Sequence, residues 1–222
     1  MEYRLKSVWI VVILAICVVS SIGCRSEEAP EFSQFISSAE GWLTWGDSAT
    51  EEPTFHASGG NPDGYISMID NVNGGAWYWL APSNYLGDKS HFFGNHLRYD
   101  LKQSETSNQF ATGDVWLDST DGTRLVYFDQ ANFDNSEPRT SWTSYLIKLD
   151  DTAGWKISPG FSNDTDPFLS EWSEATSASN ADIRAVLASL SGLYIRGEFK
   201  VYEDTGSLDN VFFGCSNCPV FP

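Results

Sequence analysis

The sequence predicts an all-β protein with one short helix, its antiparallel strands layered as a sandwich or closed into a barrel. Three observations predict it. Apolar residues recur at every second position in many short runs, the period that puts one side of a strand inside. Clusters of Gly, Asn and Asp separate the runs, and these residues supply the backbone angles of tight turns. One stretch, after Ser179, instead places apolar residues at helical spacing.

The elements follow in order. Tyr65-Ile-Ser-Met-Ile69 alternates. In the segment after Gly75, Ala76, Tyr78 and Leu80 point one way and Trp77, Trp79 and Ala81 the other, and Pro82 ends the strand because it cannot donate to a ladder. Burying a large apolar side chain is worth about 2–3 kcal/mol, so at least one side of this strand belongs to the core. Its rings are expected mainly as core, with a sugar-stacking platform open only to a side left exposed. Leu97 to Leu101 alternates again. Asp114 to Asp118 leads through Asp121-Gly122 into Arg124 to Phe128, a hairpin signal because Gly tolerates positive φ. Thr143 to Leu149 sets Tyr145, Ile147 and Leu149 against Ser144, Leu146 and Lys148. The helix starts at Ser179 and Asp182, which have capping-box spacing. Ile183, Val186, Leu187 and Leu190 form its one apolar stripe and Gly192 ends it. It reads as a cap over the end or edge of the sheets. Tyr194 to Tyr202 and Leu208 to Phe213 read as a last strand pair around the turn Glu203 to Gly206.

The N-terminus reads as an export signal over residues 1–23. Arg4 and Lys6 precede an apolar run from Val8 to Val19, shorter than the roughly 20 residues of a membrane span. Gly23 directly before Cys24 resembles a bacterial lipobox, which implies cleavage before Cys24 and lipid on its sulfur; an uncleaved anchor or a plain secretory signal is the alternative. Residues 24–34 then form a tether. Cys17 is lost with the signal, leaving Cys215 and Cys218 in an oxidising compartment. A lone C-x-x-C fits a redox pair or half a zinc site. With no second pair and no nearby His, zinc is disfavoured, and a position after an apolar strand-like run rather than at a helix start favours a local disulfide.

The formal net charge is −17. Losing the signal removes Glu2, Arg4 and Lys6, leaving the mature chain one unit more negative. Such a surface repels nucleic acid and anionic headgroups and suits cations. About 200 mature residues make one domain or at most two. Aromatic residues reach 14%. Asn163-Asp164-Thr165 is a glycosylation sequon, relevant only outside bacteria.

Six motifs occur in a fixed order: Ser38-Ala-Glu-Gly-Trp42, Gly59-Gly-Asn-Pro-Asp-Gly-Tyr-Ile66, Trp77-Tyr-Trp-Leu-Ala-Pro82, Tyr85-Leu-Gly-Asp-Lys89, Leu193-Tyr-Ile-Arg-Gly-Glu198 and Leu208-Asp-Asn-Val211. Together they resemble the laminin B domain, also called laminin domain IV type A, over residues 35–213, with residues 214–222 as a tail holding the C-x-x-C. The resemblance implies a jelly-roll β-sandwich of the galactose-binding-like kind and a non-catalytic extracellular module. The chain lacks the cysteine-rich repeats that flank the module in laminins, so the expected form is a free-standing lipoprotein of a cell envelope or surface. In related jelly rolls an early loop and the last strand meet at a structural Ca2+, which by that resemblance names Asn61, Asp63 and Asp209, with Asp70 in reserve. The alternative is a plain turn at Asn61 to Gly64 and an Asp209 that caps buried backbone.

Catalysis finds little support. Glycan hydrolysis needs two opposed carboxylates, but an acid-rich chain supplies pairs by chance. His56, His91 and His96 sit in no nucleophile context, and no G-x-S-x-G occurs. The polar connectors Ser104 to Asn108 and Phe161 to Asp166 offer binding surface, and Trp142, Trp155 and Trp172 lie near turns where their rings would meet a glycan or pack. The expected function is recognition of a carbohydrate or a cell-surface or matrix protein, with membrane contact through the lipid alone. A glycan-acting hydrolase and a structural or assembly lipoprotein without a soluble ligand are the rivals.

Overall fold

The computed structural model describes residues 29–46, 50–70, 72, 75–129, 138–158 and 176–221. The signal segment with Cys24, the sequon and Trp172 lie outside them. Thirteen strands are described: β1 (Glu31–Ser33), β2 (Leu43–Gly46), β3 (Thr54–His56), β4 (Tyr65–Ile69), β5 (Trp77–Leu80), β6 (His96–Gln103), β7 (Val115–Ser119), β8 (Arg124–Tyr127), β9 (Thr143–Lys148), β10 (Lys156–Ser158), β11 (Thr176–Ser177), β12 (Leu190–Arg196) and β13 (Thr205–Cys215), with helix α1 (Asn180–Leu187) before β12. They form two antiparallel sheets. The first runs β3-β4-β13-β6-β9, with β1 also on β13; the second runs β11-β10-β8-β7-β12-β5-β2.

Period-two ordering decides which side of each strand is dry. Leu97, Tyr99 and Leu101 of β6 share one core with Tyr145 and Ile147 of β9 and with Leu208, Val211 and Phe213 of β13. The second sheet contributes Trp77, Trp79, Val115, Leu117, Leu125, Leu193 and Ile195 to the same core. Trp77 and Trp79 are fully buried, ring centroids 4.7 Å apart, between the sheets. Two glycines make room for Trp77: a Cβ on Gly197 or Gly206 would overlap its ring. The Val115–Ser119 and Arg124–Tyr127 strands pair through a turn at Asp121 and Gly122, as the D-G signal predicts. In β13 the alternation slips between Asp209 and Phe212, and Asn210 takes φ +50°. This bulge lets Leu208 and Val211, three apart, both point inward.

Two expectations change. β12 and β13 are not a hairpin: β12 lies between β7 and β5, whereas β13 lies between β4 and β6. The segment from Gly197 to Asp204 crosses from one sheet to the other over the end of the sandwich, and alternation alone cannot report which sheet a strand joins. The helix has its reciprocal capping box at Ser179 and Asp182 but ends at Leu187, with Ala188 as C-cap. Leu190 belongs to β12, whose pairing with β7 removes it from the helix, and Gly192 lies within that strand. Ile183, Val186 and Leu187 bury into the main core.

Candidate functional site

The outward side of the second sheet is paved with rings. Ala76, Tyr78, Trp116 and Val126 form a buried cluster there, and Trp45, Phe110, Phe128 and Tyr194 pack on it partly exposed. Strand register brings these distant residues together, because Trp45 pairs with Tyr78 and Tyr194 with Trp116. The Trp45 and Tyr194 centroids lie 5.1 Å apart, Trp45 and Trp116 5.9 Å, and Tyr78 and Trp116 4.1 Å. Tyr194 lies across Gly192, where a Cβ would stand 2.5 Å from its Cε2, so glycine lets the ring settle on the sheet. Burial raises the Tyr194 hydroxyl's pKa, keeping it a neutral donor.

Charge sits beside the rings. Arg124 stacks over Trp116 at 4.2 Å and grips Asp118 with two bonds, 2.6 and 2.8 Å. The buried Trp116 Nε1 has no hydrogen-bond partner among the described residues. At one end a loop covers Tyr78, whose hydroxyl donates to the Gly113 carbonyl at 3.0 Å. Buried Arg196 pins that loop by donating to the Phe110 carbonyl and pairing with Asp114 at 3.4 Å. Burial pushes Asp114 up to about 6, against the pull of Arg196. The Arg124–Asp118 pair is itself buried, so what this side presents is planar ring surface, which suits a ligand having an apolar C–H side.

The outward side of the first sheet is mostly polar. His56 stacks on Tyr65 at 4.4 Å and hydrogen-bonds Ser67 at 2.8 Å. Lys102 Nζ lies 4.6 Å from the Tyr65 ring centre and 4.5 Å from that of Trp142. Of the two nominated tryptophans among the described residues, Trp142 is partly exposed beside these groups, whereas Trp155 is 1% exposed core. Beside this group the turn Gly59 to Gly64 folds down onto β13.

That turn brings Asn61 and Asp209 together, but as donor and acceptor. Asp209 Oδ2 accepts from the Asn61 amide at 2.6 Å, and Oδ1 from the Asn210 amide at 2.7 Å. The Asn61 carbonyl accepts from Asn210 Nδ2, and Asn61 Nδ2 donates to Asp100 at 3.0 Å. Asp63 is exposed at the tip. A Ca2+ ion needs oxygens that face it unoccupied. Here each Asp209 oxygen accepts one amide N–H, so the contacts among Asn61, Asp209 and Asn210 are those of a hydrogen-bonded turn. Burial pushes Asp209 up to about 7, opposed by the two amides.

Two further features lie away from both faces. Cys215 and Cys218 form a disulfide, Cα atoms 5.1 Å apart. At the end of the first sheet Asp70 and Asp204 are buried side by side; burial first, then the charge of Asp70, pushes Asp204 up to about 7. Sequence reasoning missed Trp45, Trp116, Arg124 and Asp118 as a group, since only the strand order makes them neighbours. Tyr194 stood within a family-like motif but without a role.

Comparison with known proteins places this architecture. A family model described as Laminin B (Domain IV) matches residues 78–217, more than half of the chain. A search of curated protein sequences found no match. Among solved structures, the L4b domain of human laminin alpha-2 matches with a TM-score of 0.57 at 12% identity, over 83% of this chain and 97% of that one. An exo-beta-agarase matches with a TM-score of 0.52 at 13% identity, over 86% of this chain but 25% of its own. A family 11 carbohydrate-binding module of Clostridium thermocellum gives 0.45 at 10% identity, over 87% of this chain and 98% of that one. At such identities the likeness concerns the fold.

Proposed function

The chain belongs to the laminin B (domain IV) family, and from that premise we propose that it is a non-catalytic binding module that takes a carbohydrate on the outward side of its second sheet. The observation that carries this reading is the ring floor itself. Trp45 and Tyr194, 5.1 Å apart and partly exposed, stand on buried Trp116 and Tyr78. A sugar ring laid on them would hide apolar C–H groups, while the buried Arg124–Asp118 pair braces the floor beside Trp116. The same arrangement speaks against hydrolysis. Asp118 has both oxygens bound to Arg124, and a glycosidase needs a carboxyl free to donate or accept a proton.

The export reading completes the proposal. Lipid on Cys24 would tether the module to a membrane of the cell envelope or surface, with a spacer shorter than the expected residues 24–34, because Glu31–Ser33 form β1 and pair with β13 in the first sheet. Cys24→Ala should release the protein from membranes, and retention in the membrane fraction would refute the lipid attachment.

A glycan array probed with the protein and with Trp45→Ala tests the site. Binding that falls in the variant supports it. Glycan binding that survives Trp45→Ala and Tyr194→Ala moves the site elsewhere, and silence across all glycans turns the reading toward a protein partner or an assembly role.

A further inference from the structure

We propose that Asp70, Asp204 and Gln103 form a calcium-binding site at the end of the sandwich where β4, β13 and β6 meet. The site is independent of the ring floor, which lies on the other sheet.

The backbone builds it. Ile69 pairs with Thr205, and the next rung continues as the Asp70 amide donates to the Asp204 carbonyl at 2.9 Å. Directly opposed residues of an antiparallel pair hold their Cβ atoms roughly 4.5–5.5 Å apart on one side of the sheet. Gln103 pairs with Gly206, which shares a side with Asp204 by alternation. That side is inward, since Gly206 touches Trp77. All three side chains are therefore driven into the closed end of the core: Asp70 is 0% exposed, Asp204 5% and Gln103 1%.

The unmet chemistry points to a cation. Asp70 Oδ2, both Asp204 oxygens and Gln103 Oε1 are buried with no hydrogen-bond donor. The groups around them are committed elsewhere. Asp70 Oδ1 accepts from the Val72 amide at 2.8 Å, and Gln103 Nε2 donates to the Gly197 carbonyl at 3.0 Å. The second bond fixes which end of the amide is left over: its oxygen. Lys200 is the nearby positive charge, but its Nζ bonds the Glu203 carbonyl at 3.0 Å and Glu105 at 3.1 Å. Four acceptors without a donor are what a metal ion supplies with partners. The set is all oxygen, with two carboxylates and one amide carbonyl, and no nitrogen or sulfur. That composition suits Ca2+, which tolerates irregular coordination completed by water, rather than zinc or the strict octahedron of Mg2+. It also contrasts with Asp209, each of whose oxygens accepts an amide N–H.

Calorimetric titration of the chelator-treated protein with CaCl2, and thermal melts with Ca2+, Mg2+ or EGTA, test the assignment. One binding event and a melting temperature raised by Ca2+ more than by Mg2+ are expected. Asp204→Asn and Asp70→Asn should each weaken Ca2+ binding by about tenfold or more, while Asp209→Asn leaves it unchanged. Both substitutions remove a buried charge, so they preserve folding; should one variant not fold, the other reports alone. Absence of Ca2+ heat and of any shift in the melt overturns the proposal. Binding that persists in Asp204→Asn and Asp70→Asn, or that vanishes in Asp209→Asn, overturns it by placing the ion elsewhere.

Discussion

Gly206→Ala tests the packing that seats Trp77. Gly206 has an ordinary strand conformation, so its glycine is there for space rather than for φ. An added Cβ would lie 2.9 Å from Trp77 Cζ2, 3.0 Å from Cη2 and 2.5 Å from the Gly197 carbonyl oxygen. Carbon atoms pack best at about 3.5–4.0 Å, so the overlap is roughly 0.5–1 Å on two ring atoms. Neither neighbour can yield easily: the indole is fully buried against Trp79, and the carbonyl is held by Gln103. Overpacking of this kind costs about 1–3 kcal/mol, offset by about 0.5–1 kcal/mol for removing a glycine from a strand. The net is a loss of about 1–2 kcal/mol, or roughly 2–8 °C in the melting temperature. Trp77→Phe deletes the two atoms involved, Cζ2 and Cη2. A urea-unfolding cycle over both positions should then find the double variant about 1 kcal/mol more stable than the sum of the singles. A Gly206→Ala protein as stable as its parent, or single effects that simply add, would refute the reasoning.

Other outcomes follow from the same contacts. Asp209 and Asp114 are pushed up to about 7 and about 6 from 3.8, so between roughly pH 4 and 7 the folded state binds more protons than the unfolded one. Stability should therefore fall as pH rises through that window, by about 1–3 kcal/mol in all; urea midpoints that rise from pH 5 to pH 7.5 would contradict this. Trp45→Ala and Tyr194→Ala should each weaken an array-positive glycan about 10- to 100-fold in affinity electrophoresis, the loss of about 1.5–3 kcal/mol of ring burial. Gly192→Ala should lift the Tyr194 ring, weakening the same glycan while the unfolding free energy from urea melts changes by no more than about 1 kcal/mol; unaltered affinity would mean that the ring's seat does not matter.

Much of the fold was legible because burial is written into the sequence two residues at a time. Tyr145, Ile147 and Leu149 are buried while Ser144, Leu146 and Lys148 are exposed, as their alternation predicts. Trp77 and Trp79 face the core with Tyr78 on the opposite side, so the prediction that these rings pack rather than meet solvent holds for all three. What alternation lacks is sheet membership. Tyr194 to Tyr202 and Leu208 to Phe213 look like a hairpin because turn residues separate them, yet the chain uses those residues to change sheets. Leu190 continued the helical stripe, but seven residues of pairing outweigh one more turn of an eight-residue helix.

The candidate site was the least legible part, for a reason rooted in topology. Trp45, Tyr78, Trp116 and Tyr194 come from β2, β5, β7 and β12, and no local pattern joins them. They meet because β12 inserts between β7 and β5, a choice made by long-range pairing. Expectation had placed the encounter surface on loops, where sandwiches commonly bind. The structure offers rings on a sheet instead, and this changes what recognition demands. Rings anchored on strands and floored by Trp116 are already ordered before a ligand arrives, so little conformational entropy is lost on binding. A ligand that matches them must itself be flat and apolar on one side. On the proposed reading a saccharide meets that requirement, whereas a flexible charged chain would be repelled or attracted by a protein of net charge −17 by sign rather than by shape.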